Sequence, residues 1–277
     1  MFRLKEKLLG AWKAVKKEYT RVDRTCNNCR REIFGGETLG EKYFCPDCNA
    51  RFPYNDGFIC LHCGRSAIEN VKLCDDCAGY EWSYDAARSP FYYAPPADKI
   101  IRDLKYDNRR FLAEVLAAFV AAELIGNFAE ADVITFVPMT DGAKRKRRYN
   151  QSELIARHVS ARTGIPAADV LEKVAETDRQ AKLTRKERLN NLKGSIRSKN
   201  GALIEGKAVV LIDDVLTTGS TAEACSAALK KAGAGKVYVV TAASVTNPKT
   251  ARILGQETPA GKVKLAKTRE KRRFSEK

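Results

Sequence analysis

The segment from Val209 to Thr221 constrains this chain more than any other, because it joins an apolar strand to a hydroxyl-rich loop through two adjacent carboxylates. Val209, Val210, Leu211 and Ile212 are four apolar residues in a row, three of them β-branched, the pattern of a central parallel strand covered on both faces. Asp213 and Asp214 follow at its carboxyl end. Ligands of open α/β sheets bind beyond that edge, where a helix begins and its first amides carry partial positive charge. Thr217, Thr218, Gly219, Ser220 and Thr221 offer hydroxyls and amides, and Gly219 lets the backbone close round an oxyanion. The arrangement predicts a sugar-phosphate site in which the carboxylates accept hydrogen bonds from vicinal sugar hydroxyls. A plain strand followed by a helix cap is the blander reading, since Asp and Ser are common at such turns.

Eight of the nine cysteines fall in four pairs of the form C-x2-C: Cys26/Cys29, Cys45/Cys48, Cys60/Cys63 and Cys74/Cys77. Two thiolates so spaced reach one tetrahedral ion from a tight turn, and a second pair completes four ligands. The expectation is two structural zinc sites. Consecutive pairs joining as tandem ribbons is favoured, because similar knuckles at Cys26 and Cys60 begin each half; interleaved pairing is the alternative. A disulfide framework would require an oxidising compartment, and Met1 to Lys7 carries no signal-peptide core. The chain is therefore expected in the cytoplasm. Cys225 stands alone on a predicted helix, as a small apolar residue.

Fifty Lys and Arg against 34 Asp and Glu give a net charge of +16, a field that favours anionic partners without choosing among nucleotides, nucleic acid and membranes. Leu4, Leu8, Trp12, Val15 and Tyr19 recur at helical spacing among lysines, predicting an amphipathic basic helix over 1–22. It suits docking on the cysteine module or on a second subunit, as in a homodimer; contact with a membrane surface is the sharper alternative. The cysteine-rich module is expected over 23–80. From 81 to 248 strands and helices alternate: 132–138, 151–164, 208–212, 220–232 and 236–242, a pattern that implies a parallel sheet. A basic disordered tail is expected over 249–277.

Two further segments carry charge. Met139 to Tyr149 reads as a loop with five consecutive basic residues, Lys144 to Arg148, after a strand's carboxyl end. Lys144, Arg145 and Arg148 are placed to take a departing anion. Val174 to Ile196 shows no strand pattern and reads as a lid, with Lys182, Arg185 or Arg188 closing over the site.

The run from Val209 to Thr221 resembles the signature of the type I phosphoribosyltransferases that binds phosphoribosyl pyrophosphate (PRPP). The resemblance assigns ribose contacts to Asp213 and Asp214, places Val215 in the binding segment, and assigns the 5-phosphate to Thr217 through Thr221. Together with the four cysteine pairs, Ile101 to Tyr106, Val137-Pro138, Arg145, Arg148 to Gln151, and Thr177 to Gly194, the order is similar to that of the ComF family. That resemblance implies an α/β fold: a parallel-sheet phosphoribosyltransferase domain preceded by a double zinc ribbon. It also implies Mg²⁺ bound with PRPP, catalytic roles for Asp213 and Asp214, and a link to natural competence. Transfer or sensing of a phosphoribosyl group is the expected function. The rival is a non-catalytic competence factor that binds single-stranded DNA through the ribbon and basic surface, or docks helicase or other competence proteins.

Overall fold

The computed structural model describes residues 25–34, 36–174, 194–246, 248–253 and 255. The helix expected over 1–22, the tail beyond 255, and Lys182, Arg185 and Arg188 lie outside the described residues.

The cysteine module contains two short helices, α1 (Leu39–Tyr43) and α2 (Pro46–Asn49). After it come β1 (Ala86–Arg88), β2 (Phe91–Tyr92), α3 (Ala97–Tyr106), α4 (Leu112–Asn127) and β3 (Val133–Phe136). Next are α5 (Asp141–Arg147), α6 (Gln151–Thr163), β4 (Leu171–Lys173) and β5 (Ile196–Ser198). The chain continues through β6 (Ala208–Leu216), α7 (Ser220–Lys231), β7 (Lys236–Ser244) and α8 (Pro248–Ile253).

β6 and β7 form the middle of a parallel sheet, with β3 beside β6, and β1 and β2 both beside β7. The predicted apolar runs explain this placement, because both central strands are buried at nearly every position. Val210, Ile212, Val240 and Ala242 join one core layer with α4 and α6, while Val209, Leu211, Val237 and Val239 join the other with α7. α4 is apolar on all sides, with Leu112, Val115, Leu116, Phe119 and Val120 buried, as a helix enclosed by neighbours must be. α6 starts where Asn150 caps it, accepting from Ser152 N at 3.0 Å, and ends at Gly164 with φ +78°.

The halves of the cysteine module straddle the sheet. The first half packs on the α4 layer through stacked Phe44 and Phe52, 4.1 Å between centroids, and Phe52 meets Phe91 at 4.7 Å. The second half packs on the α7 layer, where Cys60, Cys63 and Cys77 lie with Tyr84 and Ala87. His62, the spacer inside a knuckle, stacks on Tyr84 at 4.7 Å.

Three expectations need correction. The β6 strand runs four residues past Ile212, because β7 continues to pair with it as far as Leu216↔Ser244. The basic segment after β3 is not a loop: Thr140 Oγ1 accepts from Ala143 N at 3.2 Å and starts α5, which ends at Arg148 with φ +67°. On this short helix Lys144 and Arg145 are exposed, while Arg147 is half-buried. Residues 175–193, the bulk of the segment read as a lid, lie outside the described residues; the chain on either side of them pairs antiparallel as β4 and β5, Leu171↔Ser198 to Lys173↔Ile196. Finally, α8 crosses the expected start of the tail at 249, with Ala251 buried as its anchor.

Candidate functional site

β3 ends at Phe136, paired with Ile212, and Val137 N donates to Ile212 O at 3.0 Å. Beyond that point the β3-side edge of β6 has no strand partner among the described residues. Asp213 and Asp214 therefore stand in the crevice that opens where β3 stops, although β7 still holds their other edge. Parallel sheets bind ligands at such positions.

Asp213 Oδ1 accepts a 2.8 Å bond from Ser152 Oγ at the start of α6 and another, also 2.8 Å, from Asp214 N. The N-terminal end of α6 adds a favourable dipole. Even so, burial pushes the Asp213 carboxyl up to about 6, against the pull of the Lys105 ammonium and the Ser152 hydroxyl. Asp214 is buried and its Oδ2 contacts Lys105 Nζ from the end of α3. Burial draws the Lys105 ammonium down to about 8, opposed by Asp213 and assisted by Arg147. The carboxylates are thus brought together with a lysine to which no role had been given.

Lys105 also lines a cavity of about 430 Å³ with Tyr106, Arg147, Arg148 and Tyr149. Three cations face this space, and none of the described residues lining it is acidic. Its walls are fixed. Tyr149 OH donates to Leu104 O, the Arg110 guanidinium lies 4.7 Å over the Tyr149 ring, and Arg147 lies 5.1 Å over Tyr106 while donating to Gln151 Oε1 at 2.7 Å. Of the three basic residues predicted for this role, Arg148 lines the cavity. Lys144 instead pairs with Glu153 at 3.7 Å, and Arg145 is exposed on α5. Sequence reasoning missed Lys105, Arg147 and Ser152. The signal for Lys105 was a charge placed four residues after Ile101, on the buried side of α3.

The Thr/Gly loop follows Leu216 at the carboxyl end of β6, the end that also carries the acidic pair. Thr217 is exposed, Thr218 and Thr221 are half-buried, and Gly219 and Ser220 are buried. Thr218 Oγ1 and Ser220 Oγ lie 2.8 Å apart. Gly219 has φ +83°, and a Cβ there would stand 3.0 Å from the Trp82 ring. Val215 is half-buried against the α4 layer. Reachable hydroxyls thus remain at Thr217, Thr218 and Thr221.

The cysteines assemble as tandem quartets, Cys26/Cys29/Cys45/Cys48 and Cys60/Cys63/Cys74/Cys77, the ligand atoms of each lying within 4.8 Å of one another. Cys29 and Cys45 Sγ are 3.6 Å apart, and Cys63 and Cys74 Sγ 3.7 Å. Zinc–sulfur bonds of about 2.3 Å in a tetrahedron require about 3.8 Å between sulfurs, so the quartets fit that ion. Cys74 N donates to Cys60 Sγ and Asn28 Nδ2 to Cys48 Sγ, both at 3.3 Å, supporting thiolate charge. Interleaved pairing is excluded. Cys225 is fully buried in the α7 layer, as expected.

No helix among the described residues is long and apolar enough to cross a membrane. The family described as "Phosphoribosyl transferase domain" matches residues 113–254. Competence protein F of Haemophilus influenzae is 28% identical over 226 residues, covering 77% of this chain and 94% of that protein. DNA utilization protein YhgH of Escherichia coli is 27% identical over 224 residues, 79% of this chain and 96% of its own. Competence protein ComFC of Streptococcus pneumoniae is 28% identical over 197 residues, 70% and 84% respectively. Among solved structures, the glutamine PRPP amidotransferase from B. subtilis complexed with ADP and GMP aligns at 20% identity and a TM-score of 0.36, over 57% of this chain and 39% of that one. With its phosphoribosyl transferase domain, its two cysteine quartets and this kinship along most of its length, the chain belongs to the ComF family.

Proposed function

We propose that this protein binds PRPP in the crevice beyond β3 and transfers its phosphoribosyl group to a nitrogen nucleophile. The observation that carries this reading is the junction at Lys105, which touches the acidic pair on one side and lines a cavity of like-charged groups on the other. Asp213 and Asp214 accept from the ribose hydroxyls, Thr217 to Thr221 hold the 5-phosphate, and Lys105, Arg147 and Arg148 receive the pyrophosphate. Binding moves Lys105 from Asp214 to the anion. As the bond from the anomeric carbon to the pyrophosphate oxygen breaks, its electron pair leaves with the pyrophosphate. The acceptor nitrogen then supplies the pair for the new bond and releases a proton. Mg²⁺ arriving with the donor neutralises part of the pyrophosphate charge, and a site of carboxylate and hydroxyl oxygens suits that hard cation. Two zinc ions in the quartets hold the ribbons and leave no open coordination position for chemistry.

Calorimetry with PRPP and Mg²⁺ tests the ribose contact. The doubly substituted Asp213→Asn, Asp214→Asn protein loses donor binding if the assignment is right, and unchanged affinity rejects it. Incubation of the zinc-loaded protein with PRPP, Mg²⁺ and a panel of bases and amines, followed by pyrophosphate release, tests turnover.

A second reading is favoured by the relatives named for competence and DNA utilization, together with the +16 charge. In it the protein binds single-stranded DNA through its basic surface and keeps the PRPP site as a sensor. Phosphate neutralisation makes such affinity fall steeply with salt. A salt-independent affinity leaves the basic surface without that role.

A further inference from the structure

The second cysteine quartet reaches into the phosphate loop. Arg65, two residues past Cys63, is 7% exposed, and its Nη1 pairs with Asp76 Oδ2 at 3.1 Å. Asp76 lies between Cys74 and Cys77, so both partners of this ion pair are carried by knuckles of one quartet. The other terminal nitrogen, Arg65 Nη2, donates to the carbonyl of Thr217, the first residue of the loop. Arg65 Nε is buried with no hydrogen-bond partner among the described residues, so Asp76 and Thr217 alone orient the guanidinium.

The segment leaving the quartet also meets the loop and the helix that follows it. Trp82 Nε1 donates to Cys77 O at 3.4 Å, and its ring lies where a side chain at Gly219 would begin. Ser83 N and Oγ donate to the Glu223 carboxylate in the first turn of α7, at 2.8 and 2.7 Å. A loop that offers hydroxyls and amides to a dianion binds best when those donors are fixed beforehand. Such a loop has little rigidity of its own, since Thr217 is exposed and Gly219 adopts a left-handed conformation.

We infer that Arg65 is a positioning residue through which the second ribbon holds the Thr217–Thr221 loop in the shape that receives the 5-phosphate. The inference rests on the assignment of that loop to the 5-phosphate. It gives the second quartet a task beyond folding: an ordered knuckle aligns Asp76, Asp76 aligns Arg65, and Arg65 holds Thr217. The pyrophosphate cavity, walled by α3 and α5, receives nothing from this relay.

Calorimetry on the full zinc-loaded chain, with ribose 5-phosphate and with Mg-pyrophosphate as separate probes, tests the relay. Arg65→Met is expected to lower ribose 5-phosphate affinity about ten-fold or more, the scale of one hydrogen bond to a charged group. Its pyrophosphate affinity and its content of two zinc ions stay at parent values. Asp76→Asn, a smaller change at a more exposed position, should shift ribose 5-phosphate affinity in the same direction while keeping zinc. Arg65→Lys keeps the charge but cannot span Asp76 and Thr217 together, so it should restore only part of the loss. Parent-like ribose 5-phosphate affinity in Asp76→Asn and Arg65→Met overturns the inference, as does an equal loss for both probes in zinc-replete Asp76→Asn. A parent protein that binds pyrophosphate and not ribose 5-phosphate instead overturns the loop assignment beneath it.

Discussion

Lys105 Nζ rests on Asp214 Oδ2, with the lysine side chain about one-fifth exposed and the carboxylate nearly enclosed. The pair spans two elements far apart in sequence, the end of α3 and the middle of β6. It neutralises a buried charge before any ligand arrives, and it places the same ammonium at the wall of the cation-lined cavity. A buried carboxylate deprived of its cation is costly. Lys105→Met is therefore expected to lower the unfolding free energy at pH 7 by about 2 kcal/mol, read from urea denaturation. Adding Asp214→Asn to that variant should recover part of the loss. Parental stability in Lys105→Met would show that the ion pair contributes nothing to the fold.

The same cluster sets a pH window for ligand binding. Asp213 loses its proton above about 6, and Lys105 keeps its proton below about 8. PRPP affinity should therefore be greatest between these values and fall on either side, since the ribose needs a charged acceptor and the pyrophosphate a charged lysine. The stability effects run differently. Asp213 has a folded value above its ordinary 3.8, so its charge disfavours the fold above about 6, and that cost fades as pH falls towards 4. Lys105 has a folded value below its ordinary 10.5, so its cost is full below about 8 and fades as pH rises towards 10.5. Calorimetry across pH 5 to 9 checks the affinity profile, and Asp213→Asn should abolish its acidic limb. An acidic limb that survives in Asp213→Asn assigns the titration elsewhere.

Much of this arrangement was legible in the chain itself, and the residues show why. The unbroken apolar run before Asp213 could only be buried on both sides, and Cys-x2-Cys spacing restricts what two thiols can do; both depend on local pattern alone. Strand and helix positions followed from the same periodicities, with helix ends marked by Asn150 and Gly164. Lys105 escaped because its importance is non-local: nothing in α3 announces that a carboxylate more than a hundred residues later will meet it. The mistaken loop after β3 has a different cause. Asp141–Arg147 has no apolar spacing to mark a helix, yet Thr140 caps one there by accepting from Ala143 N. The halves of the cysteine module looked alike in sequence, and only tertiary contacts give the second one access to the phosphate loop.

Metal content offers an independent measurement. Each quartet is complete without an outside ligand, so the folded chain should hold two zinc ions, released by a thiol-reactive mercurial and counted with a chromogenic chelator. Cys48→Ser should leave one. Because the first quartet shares its core with Phe44, Phe52, Phe91 and Phe119, its loss should also loosen the α4 layer, which near-ultraviolet dichroism would register. Retention of two ions in Cys48→Ser would mean that the quartet is not the ligand set.

Gly219 joins the phosphate loop to the aromatic segment that follows the second quartet, and a single methyl group probes that junction. Its φ of +83° is strained for any residue with a side chain, and the methyl of Gly219→Ala would lie 3.0 Å from Trp82 Cζ3 and 3.4 Å from Tyr84 OH. The backbone strain alone costs about 1–2 kcal/mol, which for a domain of this size lowers the melting temperature by about 2–8 °C. The contact with Trp82 adds to it, because the ring is tethered to the Cys77 carbonyl and cannot swing freely. Trp82→Leu in the same chain should relieve the contact but not the backbone term. A double-mutant cycle is then expected to show favourable coupling of at least about 0.5 kcal/mol between the two substitutions. Strict additivity would place the whole cost in the backbone and remove Trp82 as a support for the loop.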